Sequence, residues 1–373
     1  MDSHTMDLFQ AIATLRYKIF RLSALVTLGR VFGTCMVNRH IVRDLEEALA
    51  NADVMKHVSA RIQVSEATIQ HYHFSNEFPP YFPRQAAFDA KFVYLLKDIC
   101  IAPESGLMWI PRVAALQQSV GCMPYLYAGK LSEGLRPTKT HRNGGPLVAF
   151  ANVGYYHALI EELPKVLHAL EAFPDAKILV SPARRSFIDG ILSLGGISAD
   201  RMLLADSPLR VSSCVLVPKW VNSGFCPPCE IDILQKAIWP RISTSARADR
   251  IYISRSRSVN RPLGREKDLE KELCKLGFDI CFFEDMAIAD QMAAIHGAKV
   301  IVAPHGSGLA NLVAARRGTR VIEIISRNWF NTCYAKMAVQ LGLDYRYVET
   351  MQTGPGQYDI SVQAVLSACT GIP

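Results

Sequence analysis

The run Lys299-Val-Ile-Val-Ala-Pro-His-Gly-Ser-Gly-Leu-Ala-Asn-Leu312 passes from a continuous apolar stretch, through a glycine-bearing turn, into helical spacing. A fully apolar run bounded by turn residues reads as a strand buried on both faces, which is the habit of parallel sheets. Downstream, Arg320–Ile325 repeats the pattern. Upstream, the spacing predicts a helix over Ile288–Ile295, a strand over Phe278–Phe283, a helix over Lys267–Leu276 and a strand over Ile251–Ser254. Strands alternating with helices imply parallel pairing and a Rossmann-like sheet.

A second alternation precedes this one. Pro146–Ala151, Lys177–Val180, Arg201–Leu204 and Val211–Val217 read as strands, and Tyr155–Ala172 and Arg184–Leu194 as helices. Gly224, Pro227 and Pro228 interrupt the pattern before a helix over Ile231–Ala237. Further towards the N-terminus, Phe92–Leu96, Ile99–Ala102 and Leu107–Ile110 read as a meander of short strands, and residues 120–145 as a loop. These observations predict an α/β chain with a helical N-terminal extension over 1–75, a Rossmann-like domain over 76–230 and a second over 245–373. Ligands of such folds sit beyond the carboxyl ends of the strands.

Composition narrows the function. Half of the 373 residues are hydrophobic and a fifth are charged, so the chain can bury large cores. The net charge of +7 favours anionic partners, but no long basic run marks a nucleic-acid binder. Ten scattered cysteines make no disulfide framework. Cys226-Pro-Pro-Cys229 lacks a second ligand pair for zinc, and both read as loop cysteines without chemistry. Residues 8–43 carry six basic side chains and no acidic one. A helix lying on an anionic membrane is one reading of them, and an ordinary packed helix is the other. Neither a signal peptide nor a spanning segment is evident, so a cytoplasmic protein, peripheral to a membrane at most, is expected.

Three motifs carry chemistry. Gly306 and Gly308 permit a sharp turn and close approach to a ligand, and the helix start that follows offers N–H groups and a positive dipole end to a diphosphate. His305 and Ser307 add hydrogen-bond donors. In Ile251-Tyr-Ile-Ser-Arg-Ser-Arg-Ser-Val-Asn-Arg261, Arg255 and Arg261 follow a strand, where their fork geometry suits phosphate oxygens. In Asn152-Val-Gly-Tyr-Tyr-His-Ala-Leu-Ile-Glu-Glu-Leu-Pro-Lys165, His157 and Glu161 share a helix face, so the carboxylate can orient the imidazole as a base. Taken singly, each is also compatible with an ordinary joint, a solvated basic loop or a helix-start histidine.

Together, Tyr-Tyr-His…Glu…Leu-Pro, Tyr-Ile-Ser-Arg, Pro-His-Gly-Ser-Gly-Leu-Ala-Asn and Val-Ile-Glu-Ile resemble glycosyltransferase family 61, over about Phe92 to Tyr347. The resemblance implies a GT-B fold and an inverting hexosyl- or pentosyltransferase acting in surface or capsular polysaccharide synthesis. Its donor would be a nucleotide-sugar, usually a UDP-sugar, and its acceptor a glycan, free or lipid-linked. By position it implies His157 and Glu161 as the catalytic pair. Donor contacts would fall to Arg255, Arg261, His305, Gly306, Ser307, Gly308, Asn311 and Glu323, the last at the ribose. Ala158 replaces the family's usual tryptophan, which points to a more open acceptor pocket. No Asp-x-Asp pair occurs, so no essential metal or other cofactor is expected, and arginines and a helix start would meet the leaving charge. Two alternatives remain open: another group transfer, such as pyruvyl transfer, on the same scaffold, or a catalytically silent nucleotide- or glycan-binding protein.

Overall fold

The computed structural model describes residues 41–42, 45–49, 51–74, 82–111, 114–120, 139–141, 144–219, 224, 226–243, 248–257, 263–326, 331–354 and 357–369. Most of the basic N-terminal segment, most of the 120–145 loop, Arg261 and part of the predicted break lie outside these residues.

The strands in chain order are β1 Ile41–Val42, β2 Val58–Ser65, β3 Thr68–His71, β4 Gln85–Phe88, β5 Lys91–Ile101, β6 Met108–Ile110, β7 Ala114–Leu116, β8 Lys139–His141, β9 Leu147–Ala149, β10 Lys177–Val180, β11 Met202–Leu204 and β12 Leu209–Leu216. They continue with β13 Arg250–Ile253, β14 Asp279–Cys281, β15 Val300–Pro304, β16 Arg320–Ile325, β17 Asp344–Glu349, β18 Met351–Gly354 and β19 Gln357–Asp359. The pairs β3–β4 and β18–β19 form separate small ribbons.

The C-terminal sheet has the order β14-β13-β15-β16-β17 and is parallel throughout. Its central strands are buried on both faces, as the unbroken apolar runs predict. Alternation along them divides two cores. Val300, Val302, Ile322 and Ile324 pack with Leu269, Leu273 and Val365 on one face. Ile301, Ala303 and Val321 join Ile295, Leu312 and Ala335 on the other. That second core continues without a break into Leu163, Val166, Ile188 and Val215 of the N-terminal part. Each such aliphatic side chain contributes roughly 1.5–3 kcal/mol by leaving water.

The N-terminal sheet joins the expected meander and the expected parallel strands into one mixed sheet. Its order is β1-β7-β6-β5-β12-β9-β10-β11, with β2 also on β5 and β8 also on β12. The strands β9, β10 and β11 are parallel, with helices Leu163–Ala172 and Phe187–Leu194 on the crossovers. Strand β12, however, runs antiparallel to β5 along most of its length. The two apolar runs at 92–96 and 99–102 are one strand, interrupted by Asp98 at a left-handed φ of 53°.

Residues 58–71 also correct the reading of a wholly helical extension. Among the described residues of that extension only Leu45–Ala48 and Ala52–Met55 are helical, and β2 and β3 follow. Along β2, Val58, Ala60, Ile62 and Val64 are half-buried while Ser59, Arg61 and Gln63 are exposed. This period of two is the signature of a half-buried strand. The described residues include no helix long and apolar enough to cross a membrane.

Candidate functional site

In the C-terminal sheet the chain leaves β13 for β14 on one side and returns to β15 on the other. The crevice between the carboxyl ends of β13 and β15 is therefore the topological switch point, where open parallel sheets bind ligands. Arg255 follows β13 and His305 follows β15, and the Arg255 guanidinium Nη1 donates to the His305 carbonyl at 2.9 Å. Behind it, the buried Glu266 accepts the Arg255 N–H at 2.7 Å and the Tyr252 hydroxyl at 2.9 Å. Burial leads in raising the Glu266 carboxyl above its ordinary pKa, against those hydrogen bonds.

The glycine turn owes its glycines to crowding, not to a left-handed backbone. Gly306 is extended, with φ 178°, and Gly308 is not at positive φ. A Cβ on Gly308 would stand 3.3 Å from the Phe283 ring, and one on Gly306 would stand 3.4 Å from Arg255 Nη1, against the guanidinium. The following Ser307–Ala314 is a 3₁₀ helix, and Ser307 at its start is exposed. The His305 ring pairs through Nδ1 with Glu323 Oε1 at 2.5 Å, and Glu323 Oε2 accepts the Tyr345 hydroxyl at 2.6 Å.

The opposite wall is built by the segment after β9. Tyr155–His157 begins as an α-helix, Ala158–Glu162 widens into a π turn, and Leu163–Ala172 resumes the α-helix. Such bulges are rare and concentrate at functional sites. His157 Nδ1 lies 2.9 Å from Glu161 Oε1. An ionised carboxylate only accepts, so Nδ1 carries the proton and Nε2 the lone pair. Glu161 Oε2 lies 3.5 Å from the Lys219 ammonium, which also donates to Glu162 Oε1 at 2.5 Å. Glu162 Oε2 takes bonds from Lys165 Nζ and, at 2.9 Å, from the Ala151 N–H. Burial pushes both carboxyls up. For Glu161 the His157 bond and Lys219 outweigh it, for Glu162 the two lysines do, and both are held below the ordinary carboxylate range.

Tyr155 and Tyr156 dock this wall on the other. The Tyr155 hydroxyl donates to Asn311 Oδ1 at 2.6 Å. The Tyr156 ring meets Tyr334 edge-on at 5.8 Å between centroids, and Tyr334 lies 5.2 Å from the His305 ring. His157 meets Tyr156 at 5.4 Å, so an aromatic chain joins the two histidines.

A family model described as Glycosyltransferase 61 matches residues 155–322, a span that opens on Tyr155, takes in Arg255 and His305, and ends one residue before Glu323. That span is just under half of the chain, and over it the chain is similar to the family. It is 33% identical over 85 residues to Beta-1,2-xylosyltransferase RCN11 of Oryza sativa subsp. japonica, covering 23% of this chain and 15% of that protein. It is 38% identical over 60 residues to Beta-1,2-xylosyltransferase of Arabidopsis thaliana, covering 16% of this chain and 11% of that one. The matched stretches are thus a small part of those relatives.

The residues singled out in the sequence fall into two groups. His157 and Glu161 follow β9, Arg255 follows β13, and His305, Gly306, Ser307 and Gly308 follow β15, each at least partly exposed. Asn311 and Glu323 do not reach open space: both are 0% exposed. Asn311 links Tyr155 to Gln291, its Nδ2 donating to Gln291 Oε1 at 2.9 Å, and Glu323 has both oxygens engaged by His305 and Tyr345. The expected ribose contact of Glu323 therefore gives way to an orienting one. Ala158 is likewise buried in the shared core, so the missing tryptophan bears on packing and not on an open acceptor pocket.

Other expectations resolve similarly. Glu162, the carboxylate next to Glu161 in that motif, is sealed by its lysines. Cys229 lies in the first turn of helix Pro228–Ile238 and not in a loop, and the described residues hold no cluster of His, Cys, Asp or Glu fit for a metal. Nothing in the local sequence marked Glu266, Tyr334 or Tyr345. For Lys219 one signal existed: a lysine shortly after an apolar strand, where a buried end is expected.

Proposed function

We propose that this protein is an inverting glycosyltransferase of GT-B build that transfers a sugar from a UDP-sugar to a glycan hydroxyl. One observation carries the reading: the family 61 span contains both a histidine–carboxylate pair and an arginine–glycine turn, joined through Tyr155 and Asn311. The names of the relatives make a pentose, and xylose first, the favoured sugar. Residues 76–230 would form the acceptor side and 245–373 the donor side. A surface polysaccharide glycan, lipid-linked or free, is the proposed acceptor, with a cytoplasmic site of action.

The chemistry follows from the walls. His157 Nε2 takes the proton of the acceptor hydroxyl as its oxygen bonds the anomeric carbon. Glu161 stabilises the imidazolium that results. The bond from that carbon to the diphosphate oxygen breaks, and the leaving charge meets Arg255 and the N–H groups around Ser307. These groups are fixed before reaction, so they pay no reorganisation cost. Glu323 and Glu266 hold His305 and Arg255 in place from behind. The test is mass spectrometry of a UDP-sugar panel with the purified protein. Slow hydrolysis of one member, UDP-xylose first, is expected. Binding without hydrolysis or transfer by any member would overturn the enzymatic reading.

A further inference from the structure

We infer that Lys219, which belongs to no sequence motif, is the positioning residue of the His157–Glu161 pair; the inference rests on His157 acting as the base. Lys219 stands three residues beyond β12, and its N–H is fixed to the Gln118 carbonyl at 2.9 Å. Its ammonium is buried and reaches two consecutive carboxylates, Glu161 Oε2 at 3.5 Å and Glu162 Oε1 at 2.5 Å. The π turn over Ala158–Glu162 is the local distortion that accompanies this arrangement.

The consequence for His157 is geometric. A carboxylate has two oxygens in one plane. With Oε2 drawn to Lys219, the Glu161 group has a fixed plane and presents Oε1 to Nδ1. That choice fixes the tautomer and leaves Nε2 as the lone-pair nitrogen. Without Lys219, Glu161 would rotate freely, and either ring nitrogen could hold the proton.

Charge points the same way. Glu161 and Glu162 together bring two negative charges, and Lys165 and Lys219 two positive ones. Lys165 bonds Glu162 alone among the carboxylates, whereas Lys219 is the ammonium that touches both. Burying four charges is costly, and an apolar replacement of equal volume is often neutral or better for stability. The Lys165–Glu162 pair suffices to neutralise Glu162. A second lysine reaching Glu161 is explained by what Glu161 holds.

The test uses the full chain with ¹⁵N-labelled histidine, and UDP-xylose hydrolysis as the turnover probe. In the parent protein the His157 ring is expected as one tautomer with the proton on Nδ1. Lys219→Met should give a mixture of tautomers and lower kcat by roughly 10- to 100-fold, the effect of a small misplacement of a reacting group. KM for UDP-xylose should stay within about twofold, because the donor contacts lie on the other wall. Lys165→Met serves as the control: it should lower stability and leave the tautomer unchanged. If Lys219→Met does not fold by circular dichroism, Lys219→Gln, which keeps a donor and loses the charge, carries the same readings. A single Nδ1–H tautomer with parent kcat in the folded Lys219 variant overturns the inference. Full turnover by His157→Ala would instead overturn the assignment of the base, so the two failures are distinguishable.

Discussion

The molecule contains the same pair twice. His157 with Glu161 and His305 with Glu323 each join an imidazole Nδ1 to a glutamate oxygen, at 2.9 and 2.5 Å. Their surroundings differ. The first pair has side chains 25% and 17% exposed, and a lysine holds the far carboxylate oxygen. In the second pair they are 12% and 0% exposed, and a tyrosine hydroxyl holds that oxygen. A base must exchange its proton with a substrate and hold the resulting charge, so the more open pair beside a balanced set of charges suits proton transfer. The closed pair keeps a turn rigid beside Arg255. On the proposed mechanism the same two residue types take opposite roles according to access and to what lies behind the carboxylate.

The sharpest way to break that comparison is to delete each histidine. His157→Ala is expected to lower turnover by roughly 10²–10⁴-fold, the span for losing a positioned base, with UDP affinity nearly unchanged. His305→Ala is expected to act on UDP affinity first. Calorimetry and turnover measured on both variants decide the matter, and equal turnover losses with equal affinity losses would erase the distinction. Glu161→Gln should cost less than His157→Ala, because the imidazole survives with a poorer orienter.

Stability should separate the walls as well. Glu162→Ala leaves Lys165 and Lys219 buried without their shared carboxylate, which costs about 3–5 kcal/mol by urea unfolding. The same group gives a pH signature. Burial opposes its charge, yet Lys165 and Lys219 hold the Glu162 carboxyl down at about 2, from an ordinary 4.5. A depressed folded pKa contributes stability above the unfolded value, and that stability is lost as pH falls towards the folded one. The urea midpoint should therefore drop between about pH 4.5 and about pH 2, and less steeply in Glu162→Gln. A variant with the parent's pH dependence would show that other groups carry it.

Smaller effects probe the other wall. Arg255→Ala should weaken UDP binding by about 1.5–3 kcal/mol, the range for a charge-assisted hydrogen bond, and uridine binding much less. Equal losses for UDP and uridine would remove the phosphate role. The smallest effect expected is that of chelation: with no Asp-x-Asp pair in the chain, EDTA should leave UDP affinity unchanged by calorimetry. Complete loss would reveal a metal site.

Much of this was legible before any coordinates. Arg320–Ile325 was read to the residue, and Lys177–Val180 likewise, because apolar runs between turns have one reading in a parallel sheet. The period-two pattern of β2 was legible too, but short neighbouring helices and the basic segment before it drew the reading towards a helix. The antiparallel pairing of β12 with β5 was not legible, since a strand's apolar pattern does not record its partner's direction. Asn311 and Glu323 were recognised as important, yet their sequence positions did not tell whether their side chains face a ligand or the interior.

The sequence by itself determined the parallel C-terminal sheet, the places of Arg255 and His305 at strand ends, and the His157–Glu161 spacing. Each follows from contacts within a few residues, which hydrophobic period and turn chemistry dictate. Tertiary structure alone decided that Lys219 reaches Glu161 from 58 positions away, that Tyr155 anchors on Asn311 from 156 away, and that Glu323 serves His305 from the next strand. Such meetings depend on how sheets and helices pack. Packing responds to the summed shape of many side chains, and no local pattern carries that information.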